Sequence, residues 1–325
     1  MKKQWVMIGI ILLFVGVTIV PTIAQNTEKS QTISRGNWLY VGGSGPGNYT
    51  RIQDAINASS AGDTVFVYDD SSPYNESIVI NTPLTLFGEN QTTTQINGIT
   101  GVRTITVNAN WITIKSFTIV GAIGLMFVSN VTFENNTLDS CDLGGTGQYC
   151  RFFNNTIGHS QWSIGIQGNH SVWKYNKFND PSGFYSNGQY DDVEYNIFIN
   201  CGVMFEASFG LFAHNIVQNI YSGVRVGLVA GTVRDNTIRN CSTGIYVNNG
   251  LLTTFSHNNF LNNKIDATFQ NSRLLRWKGN YWGRPLFRPK IIPGFSSYWY
   301  IAIPWIFIDW RPAQEPYDIP EIRDA

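Results

Sequence analysis

The sequence predicts an all-β chain folded as a right-handed parallel β-helix, a solenoid with coils of about 20 residues. A motif of asparagine, any residue and a large apolar residue recurs at intervals of 19 to 22 residues. A second apolar position lies three residues before each of these asparagines, and turn-forming residues separate the short apolar stretches. Strands this short bury little by themselves, so the coils have to stack on one another.

The repeat asparagines are the most regular feature of the chain. They are Asn136, Asn155, Asn176, Asn196, Asn215, Asn236, Asn258 and Asn280. We expect the carboxamide of each one to hydrogen-bond the carboxamide of the next coil, which gives a buried ladder. We also expect these asparagines to adopt the left-handed backbone conformation of a tight turn, which asparagine tolerates.

Two apolar columns flank the asparagines and are predicted to form the interior, because coils stacked about 4.8 Å apart place like residues above like. The column before the asparagines is Phe133, Phe152, Trp173, Val193, Phe212, Val233, Phe255 and Trp277. The column after them is Leu138, Ile157, Phe178, Phe198, Val217, Ile238, Phe260 and Trp282.

Both ends of a solenoid expose strand edges and need caps. At the N-terminal end, apolar residues between Tyr49 and Ile56 share one face of a short predicted helix. After Trp282 the repeat stops, and prolines and aromatic residues dominate. Proline excludes further regular coils, so we predict a β-helix with its N-terminal cap over residues 38–283 and an irregular cap over 284–325.

The first 24 residues are typical of an export signal. Lys2 and Lys3 precede an uncharged apolar stretch from Val6 to Val20, and small residues precede Gln25. An uncleaved anchor is the alternative, but about 15 apolar residues are fewer than the ~20 that span a bilayer. We therefore expect a secreted or cell-surface protein, a linker over residues 25–37 and no membrane span after signal removal.

The charge balance argues against a nucleic-acid partner. Lysine and arginine total 22, aspartate and glutamate total 22, and charged residues are only 14% of the chain. Binding to phosphate backbones requires a basic stripe, and none is visible in the sequence. A polar, weakly charged surface is typical of an extracellular β protein.

Three N-terminal segments, Ile52-Gln-Asp-Ala-Ile56, Gly62-Asp-Thr-Val-Phe-Val67 and Leu84-Thr-Leu-Phe-Gly88, resemble the start of pectate-lyase-like β-helices. The asparagine coils resemble the NosD-like, or carbohydrate-binding and sugar-hydrolase, repeats. Asn280-Tyr-Trp-Gly283 resembles the ending of such repeats in archaeal surface proteins. This resemblance covers residues 38–283 and implies the β-helix fold and sugar ligands.

From the resemblance we expect a glycan-binding or structural surface protein without catalysis. Its partners would be a polysaccharide or glycan surface, or a surface-layer or cell-envelope component. A polysaccharide lyase or glycoside hydrolase is the first alternative, and a copper-handling NosD-like protein is the second. Because shared repeats are structural, the resemblance predicts fold more directly than activity.

The candidate catalytic residues are Asp191, Asp192, Glu194 and Lys174. The three acids are the densest acidic cluster, and the register puts Lys174 one coil below Glu194. Carboxylates with a nearby base suit a lyase, with Ca²⁺ as its ion, or a hydrolase. The alternative is an exposed cross-strand ion pair, and no other cofactor is expected.

His214, Asp235 and His257 are the candidate metal ligands. Each directly precedes a repeat asparagine, so they are predicted to stack on three consecutive coils. Two imidazoles beside a carboxylate could hold a metal ion. A hydrogen-bonded turn column explains them equally, and we favour that interpretation. Copper prefers clustered cysteine and methionine, whereas Met126 and Met204 are isolated.

The cysteines are predicted to be buried thiols. Cys141, Cys201 and Cys241 each lie five residues after a repeat asparagine, in coils two or three steps apart. That places them about 10 to 14 Å from one another, beyond the ~7 Å limit for a disulfide.

Asparagines in Asn-x-Ser/Thr sequons could carry glycans in an exported protein. The expected glycosylation sites are Asn48, Asn57, Asn75, Asn90, Asn130, Asn169 and Asn240. Asn135 and Asn154 also occupy sequons, but we expect them to be too buried.

Overall fold

The computed structural model describes residues 36–298 and 301–320. The predicted export signal and most of the predicted linker lie outside these residues. The described part contains one helix, α1 (Ile52–Ala58), and 32 strands.

The strands follow one another in chain order with short connections. The first sixteen are β1 (Trp38–Val41), β2 (Asp63–Val67), β3 (Tyr74–Asn75), β4 (Ile78–Ile80), β5 (Leu84–Gly88), β6 (Gln95–Asn97), β7 (Ile105–Val107), β8 (Thr113–Lys115), β9 (Thr118–Ser129), β10 (Thr132–Glu134), β11 (Thr137–Gln148), β12 (Arg151–Phe153), β13 (Thr156–Gly158), β14 (Ile164–Ile166), β15 (Val172–Lys174) and β16 (Lys177–Asn179). The remaining sixteen are β17 (Phe184–Ser186), β18 (Asp192–Glu194), β19 (Ile197–Ile199), β20 (Val203–Phe205), β21 (Leu211–Ala213), β22 (Ile216–Gln218), β23 (Val224–Val226), β24 (Thr232–Arg234), β25 (Thr237–Arg239), β26 (Thr243–Asn248), β27 (Thr254–Ser256), β28 (Asn259–Leu261), β29 (Ile265–Gln270), β30 (Arg276–Lys278), β31 (Lys290–Tyr298) and β32 (Ile301–Asp309).

Parallel pairing between strands of successive coils builds three faces. The first face runs β1, β2, β5, β8, β10, β12, β15, β18, β21, β24, β27 and β30. The second runs from β6 through β9, β11, β13, β16, β19, β22 and β25 to β28. The third runs β14, β17, β20, β23, β26 and β29. The predicted right-handed parallel β-helix is confirmed, with about 11 turns.

The two predicted apolar columns form the interior in the predicted register. On the first face Phe152 pairs with Phe133 on one side and with Trp173 on the other. The rings of Phe152 and Trp173 stack with their centroids 3.7 Å apart. Both columns are buried along their length. A shift of one residue would turn this interior outward, so the apolar columns fix the register.

The predicted asparagine ladder is also confirmed. The Oδ1 of Asn215 accepts hydrogen bonds from the backbone N of Asn196 at 2.8 Å and from its Nδ2 at 3.1 Å. The Nδ2 of Asn215 donates to the carbonyl of Val193 at 2.8 Å. The same pattern repeats from Asn136 to Asn280. Every ladder asparagine is buried, so each carboxamide satisfies polar groups that water cannot reach.

The expected left-handed backbone of the ladder asparagines is wrong. The positive φ belongs to the residue before each one, for example 56° at His214 and 54° at Asp235. The side chain of the left-handed residue projects outward, and the next residue directs its carboxamide inward. The turn therefore places an outward-facing residue directly before the inward-facing ladder asparagine.

At the C-terminal end, β31 and β32 form an antiparallel hairpin. β31 pairs with β29 and β32 meets β30, so the cap that we expected to be irregular includes a regular extension of the sheet. The prolines do not prevent this, because a two-stranded ribbon uses only alternate backbone N–H groups.

Asp309, the last residue of β32, terminates the ladder. Its Oδ2 accepts from the backbone N of Asn280 at 2.9 Å, from its Nδ2 at 3.1 Å and from the indole N–H of Trp282 at 3.3 Å. Asp309 is fully buried. A carboxylate only accepts hydrogen bonds, so it can end the ladder by accepting from the N–H groups of Asn280 and Trp282 that have no further coil to bind.

At the N-terminal end, α1 covers the first coils, as predicted. Arg51 provides no side-chain cap for the helix. Instead the carboxylate of Glu76 accepts from the backbone N of Ile52 at 2.9 Å and of Gln53 at 3.1 Å. A buried acid from another segment thus accepts hydrogen bonds from the N-terminus of α1 at one end and from the last ladder asparagine at the other.

The four cysteines are buried as separate thiols. Burial raises the pKa of Cys150 to about 11, despite an opposing backbone hydrogen bond from Val131. Burial likewise raises the pKa values of Cys141, Cys201 and Cys241. These thiols therefore pack as small apolar side chains.

We predict that Asn215→Ala destabilises the protein by about 2–5 kcal/mol, because it leaves several buried polar groups of the neighbouring coils unpaired. Urea unfolding followed by circular dichroism measures this loss. Asn187→Ala is the matched control, since Asn187 is exposed and should change stability by less than about 0.5 kcal/mol. Equal stabilities of the two variants would show that the ladder contributes little.

Candidate functional site

The exposed side of the first face, over β12, β15, β18 and β21, lies between two stacks of aromatic rings. We call this surface the ring-bordered face. The first stack is Tyr149, His170, Tyr190 and Phe209, and the second is Tyr175, Tyr195 and His214.

The turns of the coils create both stacks. Every ring residue in them has a positive φ near 55–60°, for example 57° at Tyr190. Such a turn directs its side chain outward, and the coil spacing brings successive rings into contact. Ring centroids in the first stack are 4.7, 5.1 and 5.2 Å apart. Those in the second stack are 5.2 and 4.6 Å apart.

Between the stacks, the predicted catalytic residues separate into two groups. Lys174 and Glu194 pair in register on β15 and β18, and Lys174 Nζ lies 2.7 Å from Glu194 Oε1. Asp192 lies two residues before Glu194 on the same strand and projects on the same side. Asp191 is fully buried inside the solenoid.

Asp191 stabilises the turn that precedes β18. Its carboxylate accepts from the backbone N of Ser171 at 2.9 Å, from Ser186 Oγ at 2.7 Å and from the backbone N of Gly188 at 3.1 Å. Burial raises the pKa of Asp191, and these hydrogen bonds partly oppose the shift. Its position separates it from the other three candidate residues.

The ion pair disables Lys174 as a base. Burial lowers the pKa of the Lys174 ammonium, but its hydrogen bond to Glu194 and the charge of Glu194 outweigh burial, so the net shift is upward. A lysine acts as a base only when it has lost its proton. Burial raises the pKa of Asp192, and the charge of Glu194 adds to this shift.

Neighbouring coils add no second carboxylate to this site. Asp192 is flanked in register by Val172 and Leu211, and Glu194 by Lys174 and Ala213. Cleavage of a glycosidic bond by paired acids requires two carboxyl groups facing one bond. Asp192 and Glu194 instead lie side by side on one strand.

The three candidate metal ligands do stack on consecutive coils, as their register predicted. His214 Nε2 lies 4.0 Å from Asp235 Oδ2, and His257 Nδ1 lies 3.6 Å from Asp235 Oδ1. The guanidinium of Arg234 hydrogen-bonds Asp235 and lies 3.3 Å from His214 Nε2. Within residues 36–298 and 301–320, no group of three such side chains has the geometry of a metal site.

A second surface feature has no counterpart among the residues predicted from the sequence. A groove of about 880 Å³ lies beneath the loop from Gly98 to Arg103. His159 and Asp180 line it; His159 Nε2 is 3.9 Å from Asp180 Oδ2, and His159 Nδ1 is 3.8 Å from Asp139 Oδ1. The register could have aligned His159 with Asp180, which lie four residues after Asn155 and Asn176, but Asp139 lies only three residues after Asn136. The loop lies outside the repeat, so no repeat pattern could have placed it.

The expected glycosylation sites are distributed over the surface. Asn57, Asn75, Asn90 and Asn240 are exposed, and Asn48, Asn130 and Asn169 are half-buried. Asn154 is exposed and Asn135 is half-buried, so the expectation that these two are too buried is wrong. They are the left-handed residues of their turns and project outward.

The comparisons with known proteins agree with this architecture. The model of the family described as periplasmic copper-binding protein (NosD) matches residues 145–286. A curated relative, a cell surface glycoprotein of Methanothermus fervidus, is 26% identical over 286 residues, which cover 72% of this chain and 46% of the relative. The chain thus spans about half the length of that relative.

Two solved structures, the A-modules of mannuronan C-5 epimerases from Azotobacter vinelandii, superpose with TM-scores of 0.51 and 0.57. Each is 12% identical and covers 76% of this chain and 83% of its own, which shows the fold alone. No helix in the described ranges is long and apolar enough to cross a bilayer. The chain is a NosD-like, right-handed parallel β-helix protein, and its relatives indicate an extracellular or envelope location.

Proposed function

We propose that this surface β-helix protein binds glycan on the ring-bordered face and does not cleave it. The observation that carries the proposal is the pair of surface ring stacks on either side of one sheet, with Tyr149, Tyr190, Phe209 and Tyr175 exposed. Glycans offer hydroxyl groups and apolar ring faces in a repeating array. A solenoid presents its contacts with a similar regularity, so weak contacts add over several coils.

The stacks define the kind of contact available. Within a stack the rings cover each other's faces, so the tyrosines offer ring edges and hydroxyl groups to a ligand. Open ring faces remain at the two ends of the first stack. The next residue in the column after Phe209 is the small Ala230, and the one before Tyr149 is Asn130. Sugar rings can stack at these ends while hydroxyls of the ligand bind the tyrosine edges.

The same face argues against cleavage. A lyase or hydrolase needs ionisable groups with complementary roles around one bond. Lys174 is protonated and bound to Glu194, and the adjacent coils supply only Val172, Leu211 and Ala213 outward. The epimerase neighbours are named for a polysaccharide reaction, but their likeness to this chain extends to the fold.

Copper handling, which the NosD description suggests, lacks a suitable donor set. Burial raises the pKa of every cysteine, which opposes the thiolate form that binds metal. Met126 contacts Arg103 through its sulfur, with Arg103 Nη1 3.7 Å away. Arg234 places a positive charge against the His214–Asp235 pair, where a cation would have to bind.

We predict that the protein binds one or more polysaccharides from a panel of neutral and uronate-containing chains. Tyr149→Asn and Tyr190→Asn should each weaken binding by about 2- to 10-fold, since one aromatic contact contributes ~0.5–1.5 kcal/mol. Asparagine tolerates the left-handed turn that both tyrosines occupy. Tyr221→Asn is the control, because Tyr221 is 88% exposed and lies off this face. Affinity electrophoresis measures the change.

The same panel tests for cleavage through unsaturated products and reducing ends, with and without Ca²⁺. We expect no turnover. Turnover lost in Asp192→Ala would identify a catalytic site on the ring-bordered face. Turnover lost in His159→Ala would move catalysis to the groove. Either result would contradict the proposal.

We also predict that metal ions change stability little. Melting temperatures in EDTA and with added Zn²⁺ or Cu²⁺ should agree closely, whereas a tightly bound ion at saturation stabilises by several kcal/mol. A large increase with metal, abolished by His257→Ala, would show that the His214–Asp235–His257 column is a metal site.

A further inference from the structure

We propose that the C-terminal end of the solenoid docks on an anionic lipid surface, with the β31–β32 hairpin entering the bilayer interface. Two independent observations meet at this end. One is a hairpin that is apolar on both faces, and the other is a group of exposed cations in the last coil and in the segments next to the hairpin. Neither contributes to the ring-bordered face.

The hairpin carries no charge between Lys290 and Asp309. Isoleucine, phenylalanine, tryptophan and tyrosine make up two thirds of this stretch. Its base is anchored, because Ile292 is buried and the ring of Phe307 packs 4.6 Å from that of Phe269. β31 pairs with β29 at Gly294 and Phe295, and the backbone N of Ser297 donates to Asn271 Oδ1, so only the part of the hairpin after Ser297 and its partner strand extends beyond the last coil.

The described residues of the distal half are exposed on both faces of the ribbon. Ile301, Ile303 and Trp305 share one face and are 66%, 50% and 57% exposed. Ile306 shares the opposite face with Ala302 and Pro304, and all three are exposed. A protein partner in a groove would cover one face of such a ribbon. An apolar medium such as lipid surrounds both.

Exposed cations occur in the last coil and in the segments directly before and after the hairpin. They are Arg273, Arg276, Lys278, Arg284, Arg288 and Arg311. Over the same stretch, residues 273–311, the sequence has one acid, Asp309, which is buried at the end of the ladder, and the exposed acids Glu315 and Asp318 follow it. Phe287, 97% exposed, lies between two of these arginines. An apolar element with flanking arginine and lysine matches the interface of a membrane with anionic headgroups.

Backbone chemistry limits the depth of insertion. A two-stranded ribbon has unpaired edges, and hydrocarbon cannot satisfy them. The hairpin therefore binds at the level of the headgroups, where a tryptophan such as Trp305 is also favoured. A second copy is the competing occupant, since the opposite end carries the acids Asp54, Asp70 and Glu89 and could stack on these cations.

The test uses the full chain with Ser297→Cys, labelled with an environment-sensitive fluorophore. Ser297 is exposed near the end of β31, and the native cysteines are buried. The vesicles are phosphatidylcholine, alone or with about one third phosphatidylglycerol. Ser222→Cys, exposed on the third-face side of the coils, is the control label. A label at 297 reports on the hairpin itself, whatever the N-terminal residues do.

We expect a blue shift and quenching by brominated lipid for the label at 297 but not at 222. Apparent affinity should be roughly 10-fold higher with the anionic lipid and should fall at high salt. The triple change Ile301→Ser, Ile303→Ser and Trp305→Ser should abolish the signal, and Trp162→Ser, which alters an exposed tryptophan elsewhere, should not. Arg284→Gln with Arg288→Gln should remove the preference for anionic vesicles.

Two results would overturn the proposal. One is a label at 297 that remains in water on anionic vesicles while circular dichroism shows a folded protein. The other is an oligomer in lipid-free buffer, seen by sedimentation, that the triple hairpin change dissociates. The second result would assign this end to contacts between copies. Neither result depends on glycan binding.

Discussion

The hydrogen bonds between successive asparagine carboxamides are the interaction on which this structure depends. Each carboxamide accepts from the coil before it and donates to a carbonyl of that coil, as Asn215 does with Asn196 and Val193. Because the ladder is buried, a coil that slips by one residue leaves several polar groups unpaired. The ladder thus holds all the coils in one register, and Asp309 closes it by accepting the last donors.

The function proposed for the protein follows from that register. The residue before each ladder asparagine has a left-handed backbone and directs its side chain to solvent, so Tyr175, Tyr195 and His214 stack on one another. A buried structural repeat therefore creates an exposed repeat beside it. The same geometry pairs Lys174 with Glu194, so the most promising catalytic candidates form an ion pair on the face that we propose binds glycan.

The sequence was sufficient to predict the coils because the ladder asparagines and the apolar columns recur at a fixed spacing. The column containing Phe212, the ladder and the Lys174–Glu194 pairing all lie where that spacing placed them. The left-handed backbone was predicted for the ladder asparagine instead of the residue before it. Asparagine suits both a left-handed turn and the ladder, so only the backbone geometry distinguishes the two positions. The hairpin was missed because proline frequency does not reveal which backbone N–H groups a ribbon needs. The groove under Gly98–Arg103 depends on a loop that the repeat does not describe.

Hydrogen exchange of the asparagine side-chain amides, followed by nuclear magnetic resonance, tests the ladder most directly. The Nδ2 protons of buried ladder members such as Asn196, Asn215 and Asn236 should exchange as slowly as the backbone amides of their own coils, because both open only when coils separate. The exposed Asn187 provides the fast reference. Exchange of the ladder amides at the rate of Asn187 would contradict the claim that these carboxamides hold the solenoid in register.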